Sequence, residues 1–249
     1  MLLRTAAHPR RLARGFRLVM LGALLGCAAP SPPARPGSSS SAPSPPADAA
    51  AIAVRYLALG DSFTIGAGSP PPGAFPTRLA DRWRTQGCSL EVKNVAVDGY
   101  TTNDVIAEEL PGLPTFRPTV VTLAIGANDI VQGHSIEAYR ANVRRILDAA
   151  SATGARVVAI PQPDWSRSPS AASFGTREAL ADAIVRFNGA LAEEARAKGA
   201  AWVDLVPLMQ QQAVSGLLAS DGLHPSAAAY DAWAAELARV LPLPCSAGG

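Results

Sequence analysis

Three side chains of this sequence have the types and spacing needed to activate a serine hydroxyl. Ser62 follows an apolar run over residues 56–59 and a Gly-Asp pair, which predicts a buried strand that delivers the serine into a loop. A serine is a poor nucleophile until a base takes its proton, and that base needs a third group to fix its tautomer. Asp221 and His224 lie three residues apart, so the carboxylate can accept from Nδ1 while Nε2 faces Ser62. The sequence therefore predicts a Ser-His-Asp triad.

Other chemistries fit the sequence less well. His8 lies in the arginine-rich N-terminal segment, so His134 is the one competing base. No Gly-x-Ser-x-Gly surrounds the serine, and the glycines near it lack the lysine and spacing of a phosphate-binding loop. The histidines and cysteines after residue 51 are dispersed without metal-ligand spacing. We therefore expect no metal and no cofactor. The alternative interpretation is that Asp221 caps a helix and His224 only packs.

The elements that must position these residues alternate along the chain from residue 51. β-branched runs predict strands near 52–59, 90–97, 119–125, 155–160 and 200–206. Helical periodicity predicts helices near 74–87, 102–110, 135–152, 175–198 and 226–240. Such alternation is typical of a parallel sheet with helices on both faces, because parallel strands need crossover connections. The predicted fold class is therefore α/β.

Four short blocks carry a resemblance to a known family. They are Gly60-Asp61-Ser62, Asp98-Gly99-Tyr100, Gly126-Ala127-Asn128-Asp129 and Asp221-Gly222-Leu223-His224. In order and in local residues they resemble the blocks of the SGNH (GDSL-type) hydrolase superfamily, over residues 52–240. The resemblance implies one domain with a three-layer αβα, flavodoxin-like fold and strand order 2-1-3-4-5. Loops after the first three strands would then open at one edge, where ligands bind in such sheets.

The resemblance also implies an oxyanion hole. Its three donors would be the backbone N–H groups of Ser62 and Gly99 and the side-chain amide of Asn128. A glycine lets the backbone approach a substrate closely, and a neutral amide donates at any pH. Asp61 and Asp129 adjoin chain reversals, so we expect structural roles, Asp61 shaping the serine loop and Asp129 capping its turn. Ordinary turn chemistry is the alternative for the glycine and the asparagine.

The N-terminal segment predicts export. Residues 1–17 carry five arginines and no acid, and residues 18–26 form an apolar run too short to span a membrane. Residues 24–27, Leu-Leu-Gly-Cys, resemble a bacterial lipobox, which implies a signal over residues 1–27 and lipidation of Cys27. A plain secretory signal is the alternative. Residues 28–50 are rich in Pro, Ser and Ala and predict a disordered tether. The hydrolase domain would occupy residues 51–249, held at the cell envelope or secreted.

The charge of the chain argues against nucleic-acid binding. The formal charge is +2, but six of the 22 basic side chains and one of the 20 acidic ones precede residue 51. Removing them leaves 16 basic and 19 acidic side chains, a net charge of −3. A slightly acidic domain without a basic stripe has no electrostatic footprint for a polyanion.

Cys88 and Cys245 each follow a predicted helix. In the 2-1-3-4-5 order the first and last helices pack on the same face and run the same way, so both cysteines would lie at the edge opposite the active site. Export would place them in an oxidising compartment. We therefore expect a disulfide between them.

The substrate is the least defined feature. Residues 130–134 and 161–175, with Trp165 and Phe174, follow strands three and four and are expected to form the pocket walls. Trp83, Trp202 and Trp233 have the spacing of core residues. The resemblance implies a serine esterase for a small ester, a lipid or an acylated sugar, and with the N-terminal segment it predicts an exported enzyme, which we expect to be a monomer. Acetylesterase or acyltransferase action on polysaccharide, or a non-catalytic surface binding module, are the alternatives.

Overall fold

A computed structural model describes residues 54–246 of the protein. The predicted signal over residues 1–27, the lipidation of Cys27 and the tether over residues 28–50 lie outside the described residues and stay predictions. None of the helices between residues 54 and 246 is both long and apolar enough to cross a lipid bilayer.

The sheet has the predicted order. Its parallel strands are β1 Val54–Gly60, β2 Leu90–Asn94, β3 Val120–Ala124, β4 Arg156–Ala159 and β5 Ala201–Trp202, arranged β2-β1-β3-β4-β5. Tyr56 of β1 pairs with Val92 of β2 on one side and with Val120 of β3 on the other. The order and the parallel direction of the strands confirm the predicted α/β fold class. Because β1 lies between β2 and β3, the loops that follow these three strands lie side by side at one edge of the sheet.

Helices cover both faces of the sheet. The α-helices are α1 Ser62–Ile65, α2 Phe75–Thr85, α3 Thr102–Asp104, α4 Leu113–Phe116, α5 Ala127–Val131, α6 Ile136–Ser151, α7 Arg177–Ala197, α8 Val206–Val214 and α9 Ala227–Val240. Shorter helical turns are the π-helix Val105–Glu109 and the 3-10 helices Pro71–Gly73, Leu110–Gly112, Trp165–Arg167 and Pro169–Ser173. The four long predicted helices at α2, α6, α7 and α9 are present within two residues at each end.

Side chains of β1 alternate between two apolar cores. Tyr56 packs with Phe75, Trp83 and Trp233 under α2 and α9, whereas Leu57 and its neighbours on the other face pack under α6 and α7. A strand buried on both faces reads as a continuous apolar run, which is why the sequence around residue 56 shows no polar alternation. The expectation for Trp83 and Trp233 fits this burial, while Trp202 is only partly buried against the second core.

Two predicted elements differ from the structure. The helix expected over residues 102–110 is broken into α3, a π-helical turn and a 3-10 turn, because Pro111 and Pro114 lack the amide hydrogen that a continuous helix needs. The strand expected over residues 200–206 ends at Trp202. Asp204 Oδ1 instead accepts the N–H of Val206 at 3.0 Å, and α8 begins there with a proline in its first turn.

A disulfide joins the segments that follow α2 and α9. The Cα atoms of Cys88 and Cys245 lie 5.5 Å apart, and both residues border the core under these two helices. Since the bonded residues are 157 positions apart, the crosslink encloses most of the domain. This position is at the sheet edge where strands begin, opposite the loops that follow β1 and β3.

We expect the Cys88→Ser, Cys245→Ser double variant to be less stable than the oxidised protein. Closing a loop of this length restricts the unfolded chain, which is worth up to about 5 kcal/mol in the chain-entropy model. Denaturant unfolding of both proteins measures the difference, and the reduced native protein serves as a matched control. Two free thiols in protein prepared without reductant, found by mass analysis, would contradict the expectation.

Candidate active site

One pocket at the carboxyl edge of the sheet brings together residues from distant parts of the chain. It is a small, open pocket with a free volume of about 50 Å³. The lining residues are Ser62, Phe63, Ala127, Asn128, Val131, Trp165, Phe174, Leu223 and His224. Both predicted wall segments therefore contribute, and the predicted nucleophile, base and amide donor share this pocket. Gly99 and Asp221 are not lining residues, and Asp221 contacts the pocket through His224.

The serine lies at the first position of a short helix directly after β1. Asp61 precedes it and accepts the N–H of Phe63 at 3.0 Å, so its carboxylate caps the helix and in this way has the expected structural role in the serine loop. Ser62 is 95% buried, and its own N–H donates to no described residue. Gly60 must be glycine, since its φ is +153° and a Cβ would lie 2.3 Å from the carbonyl oxygen of Ala124. The turn thus offers a free N–H beside the hydroxyl.

Two buried carboxyl groups support this turn from below. Glu109 lies at the end of the π-helical turn and accepts the N–H of Gly60 at 3.0 Å. Burial raises the pKa of Glu109 to about 8, opposed by the Gly60 bond. Burial likewise raises the pKa of Asp61 to about 7, opposed by the Phe63 N–H and aided by nearby carboxylates. One oxygen of each carboxyl has no described partner, so the buried site favours the protonated form.

Asp221 and His224 form a hydrogen-bonded pair at the start of the loop before α9. Asp221 Oδ2 lies 2.8 Å from His224 Nδ1, and Oδ1 accepts the N–H groups of Leu223 and His224, each at 2.9 Å. Burial acts to raise the pKa of Asp221, but these hydrogen bonds outweigh it and the net shift is downward. An ionised carboxylate on Nδ1 leaves Nε2 as the free nitrogen of His224.

Ser62 and His224 line the same pocket, but within the described part of the chain there is no hydrogen bond between their side chains. Phe63 lies against the ring, with centroids 5.3 Å apart, and the imidazole side chain is only 12% exposed. Hydrogen bonds between catalytic groups often tighten only when substrate is bound. The arrangement can therefore deliver a proton acceptor to the serine.

Gly99 and Asn128 lie in neighbouring loops that are tied to each other. Gly99 has a φ of +82°, and a Cβ there would meet no atom within 4 Å. The backbone conformation, and not lack of space in the protein, is therefore the reason for a glycine at this position. Its N–H donates to no described residue. Asn128 Nδ2 donates to the carbonyl oxygen of Tyr100 at 2.9 Å, which fixes the amide and leaves its second N–H free.

Asp129 has a different role from the one predicted. Instead of capping its own turn, the wholly buried carboxylate accepts the N–H of Thr102 at 2.9 Å and the Thr102 hydroxyl at 2.5 Å. It also lies 3.0 Å from His134 Nδ1. Because Thr102 follows the Gly99 loop and Asp129 follows Asn128, this carboxylate locks the two loops together. It also engages the competing histidine away from the pocket.

Sequence reasoning missed Glu109 and the acceptor role of Tyr100. The signal for Glu109 was an acidic residue four positions after buried Val105, on the side of the helix that faces the protein. No sequence signal marks Tyr100, since it contributes a backbone carbonyl. In the described part of the chain, no group of three or more His, Cys, Asp or Glu side chains is placed to hold a metal ion.

The structure is a parallel αβα fold with a serine directly after β1, and comparisons with known proteins show its family. Residues 58–232 match the GDSL-like lipase/acylhydrolase family, to which this chain belongs. It is similar to an arylesterase of Vibrio mimicus, 27% identical over 73% of this chain and 84% of that one. It is also similar to the esterase TesA of Pseudomonas aeruginosa, 26% identical over 72% of this chain and 83% of that one.

A solved structure shows the same fold. The crystal structure of a TesA protein matches with a TM-score of 0.61 at 24% identity, covering 74% of this chain and 95% of that one. The family and these relatives confirm that the protein is an SGNH-type carboxylic ester hydrolase, as the sequence blocks implied.

Proposed function

We propose that the protein is an exported serine esterase with Ser62 as nucleophile, His224 as base and Asp221 as the residue that orients the base. The observation that carries the proposal is the Asp221–His224 hydrogen bond at the pocket that also contains Ser62. A carboxylate on Nδ1 holds the ring in the tautomer that can accept a proton on Nε2. A binding module would not require this arrangement.

The reaction has two halves. His224 Nε2 takes the Ser62 proton while Oγ bonds to the ester carbonyl carbon, and the departing alcohol then takes that proton from the imidazolium. The acyl group remains on Ser62. A water molecule next gives a proton to His224 as its oxygen bonds to the acyl carbon, and Ser62 leaves with the proton returned. The carboxylic acid is released.

Three donors would stabilise the charge that develops on the carbonyl oxygen. The N–H groups of Ser62 and Gly99 are free of described acceptors, and the second N–H of Asn128 is unused. Such preorganised donors commonly supply the largest single part of the rate enhancement. Asp129 and the Tyr100 carbonyl would hold the donors of Gly99 and Asn128 in fixed positions relative to each other.

Export and anchoring belong to the same proposal. The arginine-rich start, the short apolar run and the cysteine at position 27 support a signal with lipidation of Cys27, and the disulfide fits an oxidising compartment. Mass analysis of the mature protein from a bacterial host tests this directly. A processed N-terminus at an acylated Cys27 is expected, and cleavage at another position would contradict the lipid anchor.

A covalent label tests the proposed mechanism. A p-nitrophenyl alkylphosphonate should transfer one phosphonyl group to Ser62, because the trapped adduct resembles the tetrahedral intermediate. Peptide mapping by mass spectrometry identifies the labelled residue. The Ser62→Ala variant and heat-unfolded protein should take up no label. A label on another side chain of the folded protein would exclude the proposed nucleophile.

A further inference from the structure

Trp165 forms a wall between the active-site pocket and a second cavity behind it. The second cavity is small, with a free volume of about 20 Å³, which is room for about one water molecule. Trp165 and Leu223 line both spaces. Because these two side chains border both cavities, they are the partition between the reacting serine and the space behind it.

The indole of Trp165 is held in place on several sides. It is 97% buried, and its Nε1 donates to Gln162 Oε1 at 2.9 Å. The backbone of Gln162 is fixed in turn, since its N–H donates to Asn188 Oδ1 and its carbonyl accepts from Asn188 Nδ2. Phe174 packs edge-on against the indole, with centroids 5.9 Å apart. Swinging the ring aside would break a buried hydrogen bond, so the wall is rigid.

The cavity behind the wall has a mainly apolar lining. Its carbon-rich lining residues include Met209, Ala213, Leu217, Leu218, Pro225 and Trp233. Three polar residues also line it, Asp164, Ser168 and Gln212. The Asp164 carboxylate accepts from the Ser166 hydroxyl, and the Gln212 amide is paired with Trp233 Nε1 at 2.7 Å and with the carbonyl of Ala229 at 3.2 Å. Because this carboxylate and this amide are already paired, an enlarged cavity would favour a hydrocarbon chain over water.

We propose that Trp165 sets the acyl-chain length of the substrate and makes this protein an esterase for short-chain acyl groups such as acetyl and butyryl. The inference rests on the proposed function. The acyl group bound to Ser62 extends into the small pocket and meets the indole. Longer chains stop there, because the cavity beyond the indole is too small to hold them. Removing the indole would free the volume of the ring and join the two spaces, and each methylene that then leaves water would gain up to about fourfold in kcat/KM.

Hydrolysis of p-nitrophenyl acetate, butyrate, octanoate and decanoate by the full chain tests the inference. The native protein should prefer acetate or butyrate. Trp165→Ala should raise the octanoate-to-acetate ratio of kcat/KM by at least about tenfold. Trp165→Phe, which keeps a ring at the wall, should preserve the native ranking. If Trp165→Ala is not recovered folded, Trp165→Leu gives the same test. Each rate is divided by the concentration of active sites, which phosphonate labelling of Ser62 in a separate sample measures.

A second substitution shows whether the gain comes from the cavity. Ala213→Leu adds carbon atoms to the rear cavity, so in the Trp165→Ala background it should return the ratio toward the native value. The same change alone should leave the native ranking unaltered, because native acyl groups do not reach this cavity. A ratio that stays high in the double variant would overturn the cavity explanation.

Other outcomes separate this inference from the proposed function. A native preference for octanoate, with Ser62 labelled normally, would overturn the short-chain assignment and leave the esterase mechanism standing. A response of Trp165→Ala only to acetate esters of longer alcohols would place the alcohol group in the pocket and overturn the inference. No labelling and no hydrolysis of any ester would overturn the proposed function itself.

Discussion

Replacing Ser62 by alanine is expected to lower kcat for p-nitrophenyl acetate by about 10⁶, as in other serine hydrolases that lose their nucleophile. Without Oγ no acyl-enzyme forms, and any remaining rate comes from binding and from the N–H donors. The residue is 95% buried within a hydrogen-bonded turn, and alanine fits the same helical position, so the fold should be retained. Steady-state kinetics and thermal unfolding measure the two effects separately.

Ser89→Ala is the matched control, since this exposed serine precedes β2 at the opposite edge of the sheet. It should keep the native rate. A further comparison tests whether Ser62 and His224 act together. The Ser62→Ala, His224→Ala double variant should be no slower than Ser62→Ala alone, because two groups that act as a unit have non-additive effects. Equal rates for the native protein and Ser62→Ala would contradict the assignment of the nucleophile.

Asn128→Ala should lower kcat by about 10² to 10³, with KM nearly unchanged. The reason is that its free amide hydrogen would bond most strongly to the oxygen that becomes negative in the transition state. A group that acts only there affects kcat and leaves ground-state binding alone. The hydrogen bond to the Tyr100 carbonyl, at 2.9 Å, holds the amide in position before substrate arrives.

The measurement is the kcat and KM of Asn128→Ala and Asn128→Asp against those of the native protein. The aspartate keeps the shape but donates no hydrogen bond as a carboxylate, so it should be at least as slow as alanine. Asn103→Ala removes an exposed amide of α3 and is the matched control, which should keep native kcat. A loss confined to KM would show that Asn128 binds substrate without stabilising the oxyanion.

Much of the site could be read from residues close together in sequence. Asp221 and His224 are three positions apart, so a local turn suffices to join their side chains at 2.8 Å. Asp61 caps the helix that Ser62 begins, again through a contact two residues along the chain. Such contacts depend on backbone geometry that short motifs encode. The motif blocks therefore indicated the family and a structural role for Asp61, and they predict the nucleophile and the base.

The supporting contacts could not be read in the same way because their partners are far apart in sequence. Glu109 reaches Gly60 across 49 positions, and Asp129 reaches Thr102 across 27. Asp129 had an adequate local explanation as a turn residue, which concealed its distant partner, and no motif marked Glu109. The partition at Trp165 is of the same kind, since its two sides are built by loops and helices that meet only in the folded protein.

By itself the sequence determined the alternation of strands and helices, because burial on both faces of a parallel sheet demands continuous apolar runs such as residues 56–59. The strand order came from the family resemblance, since periodicity carries no information about which strands are neighbours. Tertiary structure alone decided where β5 ends, how Glu109 supports the serine turn and how much space lies behind Trp165. Each of these depends on packing between segments distant in the chain, and side-chain patterns report burial without naming the partner.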